Sequence, residues 1–402
     1  MDETLLWIWL TERKGIGAVT AQKYLRAFPT VTAIYHAAES ELSDVPGCLT
    51  TEIKSLADKN TDSAEKIIKT CKDKEISIIP IDDHAYPNLL SQIYDPPLVL
   101  FVRGTLPDTD RTLTIGVVGT RRTSSYGIQA AEYFGSELAS FGVVVVSGLA
   151  EGVDSAAAYA AIRAGGKTIG VLGTGADIVY PSWNGPLFRA TITDGALISE
   201  YPPGTRGTAG NFPARNRIIS GLCRGVTIIE APLKSGSLIT ASRAAEQGRD
   251  VFVVPGGIDT RQYRGSHALI RDGAVLVTSA KDIIEEYAGS FTEDSTGKNI
   301  NNEPECAQIR INPRNGTNKL VVDNTNTVEY IGLIEQLSNL PETETVIIKA
   351  LKDNPASTDE LMERTGLTAA EVLSALTMLE LKGYLRISEN GFCELTIFIS
   401  EE

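Results

Sequence analysis

The 402-residue sequence contains few of the residues that bind metals or form disulfide frameworks. It has only three histidines, and its five cysteines lie far apart without a CxxC pair. This pattern excludes a zinc finger and a small fold held together by disulfides. We therefore predict no metal site.

Long apolar runs are also missing. No run approaches the ~20 apolar residues that span a bilayer, and the first ten residues, MDETLLWIWL, place two acids directly after the initial Met. A signal peptide would have a basic flank there. We expect a cytoplasmic protein without a membrane partner.

The chain has no excess of positive charge. It carries 37 basic and 51 acidic residues, a net charge of −14. This balance argues against a polycationic, histone-like binder of nucleic acid but still allows a local basic groove. At 42% hydrophobic residues, the composition is that of an ordinary globular protein with room for several domains.

Residues 1–75 form a first predicted domain of short helices. The helical stretches LLWIWL, AVTAQKYLRAF and EIKSLADK are separated by the turns Gly15-Ile16-Gly17 and Val45-Pro46-Gly47, at the spacing of helix-hairpin-helix units. Such turns either present backbone amides to a phosphate or simply connect two helices. We favour an accessory role for this small all-α domain, which is similar to helix-hairpin-helix units.

Residues 85–288 alternate apolar, β-branched runs with Ala-rich helical stretches. The predicted strands are TLTIGVVG, VVVVS, KTIGVLG, ALISE, GVTIIEA and DVFVVPG. Strands alternating with helices require right-handed crossovers and a mostly parallel sheet covered by helices. The fold class is therefore α/β, with a Rossmann-like, doubly wound sheet that binds its ligand at the carboxyl ends of the strands.

The remaining chain is predicted as a linker and a third domain. Residues 289–327 are rich in Asn, Gly, Pro and Ser, as in a flexible linker. Residues 328–402 contain three amphipathic helices and two short strands, which predicts a winged helix. Its third helix offers Lys382 against Glu371 and Glu380, so protein contact or regulation is favoured over base readout.

The loops after the first two predicted strands of the sheet carry candidate ligand contacts. In GTRRTSSYG, a bulky basic pair replaces the small residues of the dinucleotide fingerprint, so we predict no nucleotide cofactor. Arg121 is suited to a phosphodiester, although it can also pair with a nearby acid. In the second loop, Ser147 and Gly148 can face a ligand, whereas Asp154 is interpreted as structural because no partner acid or histidine lies near it in sequence.

A basic segment follows at residues 203–224. It contains no acid and four arginines: Arg206, Arg215, Arg217 and Arg224. Phe212 lies beside them, as an aromatic platform for an unpaired base does, and Asn216 adds a donor and an acceptor. The alternative is that Arg217 pairs with a buried acid and that Phe212 belongs to the core.

The loop after the fifth strand is a candidate anion site. Lys234, Ser235, Gly236 and Ser237 combine a cation, small hydroxyls and free amides where a helix begins. The spacing differs from GxxxxGK[ST], so it does not predict ATP hydrolysis.

Six ordered motifs resemble one family, the DNA-processing protein A (DprA or Smf) family. They are GTRRTSSYG, SGLAEGVD, TIGVLGTGADIVYP, FPARNRIISG, KSGSLITASRAAEQGRDVFVVPG and GSHALIRDGA. The resemblance covers residues 85–288, and the flanks resemble the family's longer members. It implies that residues 1–75 are similar to a sterile-alpha-motif (SAM) fold and that the chain ends in a winged helix. It implies a non-catalytic protein that binds and protects single-stranded DNA during natural transformation, loads the RecA recombinase onto it and forms a homodimer through the Rossmann-like domain.

The resemblance also implies a set of contacts with single-stranded DNA. Carried over by motif, the candidates are Arg121, Ser147, Gly148, Phe212, Arg215, Asn216, Arg217, Lys234, Ser235, Gly236 and Ser237. The sequence departs from the family pattern at Ala158, where a histidine is usual, and at His267, where an asparagine is usual.

Two other functions stay open at the level of sequence. Nucleotide phosphoribohydrolases resembling the lysine-decarboxylase-like family have a similar fold and need PGGxGTxxE, whereas this chain reads PGGIDTRQY. The second alternative is an adaptor whose terminal domains are interaction modules.

Overall fold

The computed structural model describes residues 2–288, 341–351, 356–381, 385–387 and 392–395. They belong to two compact units that divide after Asn302, and each unit is described by itself. The predicted linker, residues 289–327, lies outside the described residues. The predicted domain limits at 75, 85 and 328 stay predictions.

The first unit begins with six short helices. Their bounds are α1 (Glu3–Thr11), α2 (Ala18–Ala27), α3 (Val31–His36), α4 (Glu39–Ser43), α5 (Thr50–Ala57) and α6 (Asp62–Asp73). Gly15 and Gly47 have φ angles of +83° and +72° in the turns that were predicted from the sequence, a conformation that glycine adopts without strain. The helices bury Trp9, Tyr24 and Leu56 in one apolar cluster.

A sheet of nine strands follows in the described part of this unit. The strands are β1 (Ile76–Pro80), β2 (Val99–Gly104), β3 (Thr114–Val118), β4 (Val144–Ser147), β5 (Thr168–Val171), β6 (Gly195–Ser199), β7 (Gly225–Ile228), β8 (Asp250–Val253) and β9 (Val275–Leu276). Their order is β1-β2-β6-β5-β4-β3-β7-β8-β9. The pairs β1–β2 and β2–β6 are antiparallel, and all the other pairs are parallel.

Helices connect the strands. They are α7 (Asn88–Ser91), α8 (Ser125–Ser140), α9 (Val153–Arg163), α10 (Gly185–Thr193), α11 (Asn211–Gly221), α12 (Gly236–Glu246), α13 (Arg264–Arg271) and α14 (Ala280–Glu285). The six predicted strands correspond to β3–β8, and the helical stretches predicted between them correspond to α8–α12. The strands β1, β2 and β9 were not predicted.

The sheet is covered on both faces, as the doubly wound prediction requires. Along β3 and β4, Val118 and Val146 belong to one apolar cluster, while Val117 and Val145 belong to another. Alternate side chains of a strand point to opposite faces, so each cluster is one covered face. The strand order reverses between β3 and β7, and the carboxyl ends of these strands therefore flank the switch point of the sheet.

The edge of the sheet is continuous with the helices at the start of the chain. The apolar cluster of the six helices also contains Leu98, directly before β2, and Val99 and Phe101 of β2. Ala176, from the loop after β5, belongs to the same cluster. This shared core places the helical segment against one side of the strand-end loops.

The second unit is a winged helix, as predicted. It contains α15 (Glu342–Ala350), β10 (Ala356–Ser357), α16 (Thr358–Thr365), α17 (Ala369–Leu381), β11 (Leu385–Ile387) and β12 (Phe392–Leu395). The strands form an antiparallel sheet in the order β10-β12-β11. Ser357 and Glu360 exchange the hydrogen bonds of a capping box at the start of α16. Across both units, none of the described helices has the length and apolar character needed to cross a bilayer.

Candidate nucleic-acid interface

A pocket lies over the carboxyl ends of β3, β4 and β5. Its lining residues come from the loops after these strands and from the start of α11: Arg121, Gly148, Ala150, Glu151, Leu172, Gly173, Thr174, Tyr180, Pro181, Trp183, Phe212 and Arg215. Four of the predicted site residues, Arg121, Gly148, Phe212 and Arg215, therefore meet in one place. The pocket occupies the edge of the sheet at which a parallel sheet binds its ligands.

Three aromatic side chains form one wall of this pocket, which we call the aromatic shelf: Tyr180, Trp183 and Phe212. The rings of Tyr180 and Phe212 have centroids 4.9 Å apart and planes inclined by 33°. Trp183 is 66% exposed and Tyr180 45% exposed. Exposed apolar groups that lie together, unlike single exposed side chains, mark a binding surface.

Arg121 brings a positive charge directly onto the shelf. Its guanidinium carbon lies 5.4 Å from the centroid of the Phe212 ring, within the range of a cation–π interaction. The side chain is exposed at the end of the loop after β3. A cation–π contact leaves the N–H donors of a guanidinium available to a phosphate.

Arg215 forms a buried, positively charged part of the pocket lining. It is 4% exposed and donates to the carbonyl oxygens of Gly148, at 3.0 Å, and Val171. Burial lowers the pKa of Arg215 to about 10, although the nearby Asp154 carboxylate opposes this shift. The guanidinium is thus still charged at neutral pH, and its Nε has no hydrogen-bond partner among the described residues.

Gly148, the first residue of the loop after β4, leaves space for the side chain of Arg215. A Cβ on Gly148 would lie 2.5–2.7 Å from the guanidinium atoms of Arg215, closer than van der Waals contact permits. Gly148 therefore contributes its backbone to the pocket, and its lack of a side chain allows Arg215 to approach.

Asp154 joins the first two loops. Its carboxylate accepts hydrogen bonds from the backbone amides of Gly119, at 3.3 Å, and Gly148, at 3.0 Å. Burial raises the pKa of Asp154, whereas Arg215 and these two amides act to lower it. The structural interpretation of this residue agrees with these contacts.

Ser147 does not reach the pocket surface. It is fully buried, and its hydroxyl donates to the backbone oxygen of Asp154 at 3.5 Å. The prediction that this hydroxyl faces a ligand is wrong, because the residue ends an entirely buried strand.

Arg217 also requires correction. Its guanidinium makes two hydrogen bonds to the Glu200 carboxylate, at 2.9 and 2.6 Å, and an ion pair with Asp95 at 3.1 Å. The side chain is only 9% exposed. Burial alone would lower the pKa of Arg217, but the carboxylates raise it. The alternative weighed for this residue, pairing with internal acids, is the one observed.

The basic segment as a whole is therefore not a surface patch of four charges. Arg215 and Arg217 are buried, and Arg224 directly precedes β7. The amino ends of parallel strands lie at the edge of the sheet opposite to their carboxyl ends, so Arg224 is on the other side from the pocket. Arg206 is exposed.

The loop of Lys234 packs beside the helix that carries Phe212 and Arg215. Asn216 Nδ2 donates to the carbonyl oxygen of Gly236 at 3.3 Å. Ser235 caps α12 by accepting from the amide of Ser237, and the two serine hydroxyls are 2.7 Å apart. Lys234 and Gly236 are exposed, whereas Ser237 is 5% exposed. Contacts of this loop and of Asn216 with DNA stay predictions.

A buried glutamate, missed in the sequence analysis, holds the loop of Arg121. The backbone oxygen of Glu230 accepts from the amide of Thr120 at 2.8 Å. Its carboxylate accepts from the amide of Ser124 at 3.1 Å and from the hydroxyls of Ser124, Thr123 and Tyr263 at 2.6, 3.2 and 3.3 Å. An acid at the end of the otherwise apolar run GVTIIEA was the available signal.

The Glu230 contacts lie at the switch point between β3 and β7. They connect the loop after β3 to the chain just beyond β7, while the pocket lies over β3, β4 and β5. These contacts fix the loop after β3 on both sides of Arg121, and they thereby position Arg121 over the aromatic shelf.

The loop after β5 contributes residues that the sequence analysis did not consider as contacts. Tyr180, Trp183 and Pro181 lie on it, and Tyr180-Pro181 is a cis peptide bond. The signal was present in DIVYPSW, an aromatic-rich loop directly after a buried strand. Glu151, an exposed acid on the loop after β4, was also missed.

Comparisons with known proteins give a consistent match. Residues 77–288 match the family model described as DNA recombination-mediator protein A, and residues 335–391 match the DprA winged helix domain. The chain is 32% identical to Protein Smf of Synechocystis over 95% of this chain and 96% of that protein. It is 43% identical to DNA processing protein DprA of Streptococcus pneumoniae over 61% of this chain and 86% of that protein.

A solved structure supports the same relationship. The X-ray structure of DNA processing protein A from Streptococcus pneumoniae aligns with a TM-score of 0.63 and 37% sequence identity. The alignment covers 71% of this chain and 98% of that chain.

Proposed function

Because the chain belongs to the DNA recombination-mediator protein A (DprA/Smf) family, we propose that it binds single-stranded DNA through the pocket over β3, β4 and β5. The observation that carries this proposal is the joint placement of Arg121 and Phe212 at the mouth of that pocket. A phosphate and the base next to it require such a pair of groups, a cation and a stacking surface.

The aromatic shelf favours an unpaired strand over a duplex. A base inside a duplex is already stacked on its neighbours and shows only its edges, so an aromatic side chain can stack on it only after it leaves the helix. Tyr180 and Trp183 are open to solvent and provide stacking surface without selecting one base, because every base has a flat face.

The contacts proposed for DNA are Arg121, Gly148, Phe212 and Arg215 in the pocket, with Asn216, Lys234, Ser235 and Gly236 beside it. Ser147, Arg217 and Ser237 support these residues from the interior. We add Tyr180 and Trp183 from the loop after β5.

The finer role is proposed from the family. The protein protects incoming single-stranded DNA and loads RecA onto it during natural transformation, and it acts as a homodimer through the Rossmann-like domain. We propose no catalytic residue: the two buried carboxylates near the pocket, Asp154 and Glu230, are occupied by hydrogen bonds that hold loops.

Fluorescence anisotropy with labelled oligo-dT and a duplex of equal length tests the proposal. We expect tighter binding of oligo-dT and an affinity that falls with salt by about 0.7 log units per log unit for each phosphate contacted. Arg121→Ala removes a charged contact with a phosphate, which is worth about 1.5–3 kcal/mol, so its affinity should fall roughly 10- to 100-fold.

Arg111→Ala is the matched control. Arg111 is an exposed arginine that precedes β3 and therefore lies at the opposite edge of the sheet. Equal losses in both variants, or a wild-type affinity independent of salt, would show that the pocket is not the binding site.

A further inference from the structure

The loop that carries Tyr180 and Trp183, two of the three rings of the aromatic shelf, is held at its start by β6 and α11. We call residues 172–184 the aromatic loop. The Ser199 hydroxyl donates to the carbonyl oxygen of Thr174 at 2.6 Å, and Asn211 Nδ2 donates to that of Gly173 at 3.0 Å. These contacts fix residues 173 and 174, several positions before Tyr180 and Trp183.

The middle of the aromatic loop is held by the helical segment at the start of the chain. Ala176 is 1% exposed and belongs to the apolar cluster of the six helices. Next to it, Asp177 Oδ2 lies 2.5 Å from Nζ of Lys74, the cap residue that directly follows α6. Asp177 Oδ1 accepts from the amide of Gly204 at 2.8 Å.

The two partners of this ion pair differ in their exposure to solvent. The Asp177 side chain is 5% exposed, whereas that of Lys74 is 46% exposed. Burial acts to raise the pKa of Asp177, but the hydrogen bonds from Lys74 and Gly204 hold it below its ordinary value. The carboxylate is therefore charged at neutral pH and available to Lys74.

From these contacts we infer that Lys74 is a positioning residue for the nucleic-acid pocket, acting through Asp177 on the aromatic loop. Lys74 lines no part of the pocket. It ties the C-terminal end of α6 to a loop 103 residues further along the chain, and it thereby sets where Tyr180 stands relative to Phe212. The inference rests on the proposed function, to which it adds a role for the helical segment.

The exposure of the two rings explains why this tether affects binding. Tyr180 and Trp183 are open to solvent, so packing alone holds them weakly, and the anchors of the loop backbone decide their position. If the loop leaves the position over Phe212 for part of the time, the apparent affinity for a base falls by the fraction of molecules that remain competent.

The test compares Lys74→Met with Lys72→Met in the full chain. Lys72 is an exposed lysine of the same helix, so both variants lose one charge at a similar place. We expect Lys74→Met to bind oligo-dT about 3- to 10-fold more weakly, a loss that corresponds to a competent fraction of roughly one third to one tenth. Lys72→Met and Lys74→Arg should stay within about twofold of the wild type.

Hydrogen exchange without DNA gives an independent measurement. Amides of residues 175–183 should exchange faster in Lys74→Met than in Lys72→Met, while those of β4 and β5 stay unchanged. Unchanged exchange in the aromatic loop would overturn the inference, and so would equal losses of affinity in the two methionine variants. A wild type that binds no oligo-dT would instead overturn the proposed function, and the exchange data would still decide whether the tether exists.

Discussion

At the scale of single residues, three arginines that were all predicted to contact DNA have different roles because their surroundings differ. Arg121 is exposed over an aromatic ring, Arg215 is buried against carbonyl oxygens, and Arg217 is bound by two carboxylates. A charge that is already neutralised by buried partners contributes to folding rather than to attraction of a polyanion.

Arg217→Met tests this difference. The substitution leaves Glu200 and Asp95 without their cation, so we expect the free energy of unfolding to fall by about 3 kcal/mol in urea titrations. Affinity of the folded protein for oligo-dT should stay within about twofold.

Arg243→Met is the control for that experiment. Arg243 forms an exposed pair with Glu246, and removal of such a pair costs at most about 1 kcal/mol. A tenfold loss of affinity in Arg217→Met without a loss of stability would mean that Arg217 contacts DNA after all.

The sequence predicted which chemical groups form the site better than it predicted which of those side chains are exposed. Arg121 was identified from its place in the loop after a predicted strand and Phe212 from its place beside the arginines of the basic segment, and both line the pocket. The count of four arginines in residues 203–224 was misleading, because the partners of Arg217 come from two other loops, at Asp95 and Glu200. A linear sequence shows a local charge but not the distant acids that neutralise it.

At the scale of elements, β3 to β8 could be predicted because buried parallel strands are continuous apolar runs. Two of the missed strands differ from this pattern. The edge strand β1 ends at Pro80 and is interrupted by the exposed Ser77, and β9 has only two residues, both exposed. The loop after β3 owes its position to Glu230, which follows β7, so neither the loop nor that strand taken alone reveals the contact.

The start of α8 offers a test of how the Arg121 loop is held. A Cβ on Gly127 would overlap the Glu230 carboxylate and the Thr123 hydroxyl. We expect Gly127→Ala to lower the free energy of unfolding by about 1–3 kcal/mol, the cost of overpacking, and to weaken binding of oligo-dT because the loop moves.

Gly236→Ala is the matched control for the measurement of stability. Gly236 also lies in the first turn of a helix, but a Cβ there meets no atom within 4 Å. Its stability should change little or rise by up to about 1 kcal/mol, since alanine favours the helix. Equal stability of the two variants would contradict the proposed clamp by Glu230.

At the scale of the whole molecule, a net charge of −14 coexists with a basic pocket. If the pocket binds single-stranded DNA as proposed, its arginines attract phosphate while the acids elsewhere on the surface repel it, so only a strand that reaches this face gains energy. The winged helix forms a separate compact unit, and its third helix, α17, contains Glu371 and Glu380 but no lysine or arginine.

A chain ending at residue 288 tests this division. It retains every described residue of the first unit, and we expect its affinity for oligo-dT to stay within about threefold of that of the full chain. Loading of RecA, measured separately by strand exchange, shows whether the winged helix serves a protein partner. A loss of oligo-dT binding of tenfold or more would assign DNA contact to the winged helix.

The tether between Lys74 and Asp177 has a consequence for protease resistance. Contacts of the segments near residues 74, 121, 177 and 212 together hold the pocket in its binding arrangement. A ligand that binds only the folded pocket therefore stabilises all of these segments against unfolding by mass action. Saturating oligonucleotide should slow proteolytic cleavage in the first six helices as much as it slows cleavage in the loops that touch the strand.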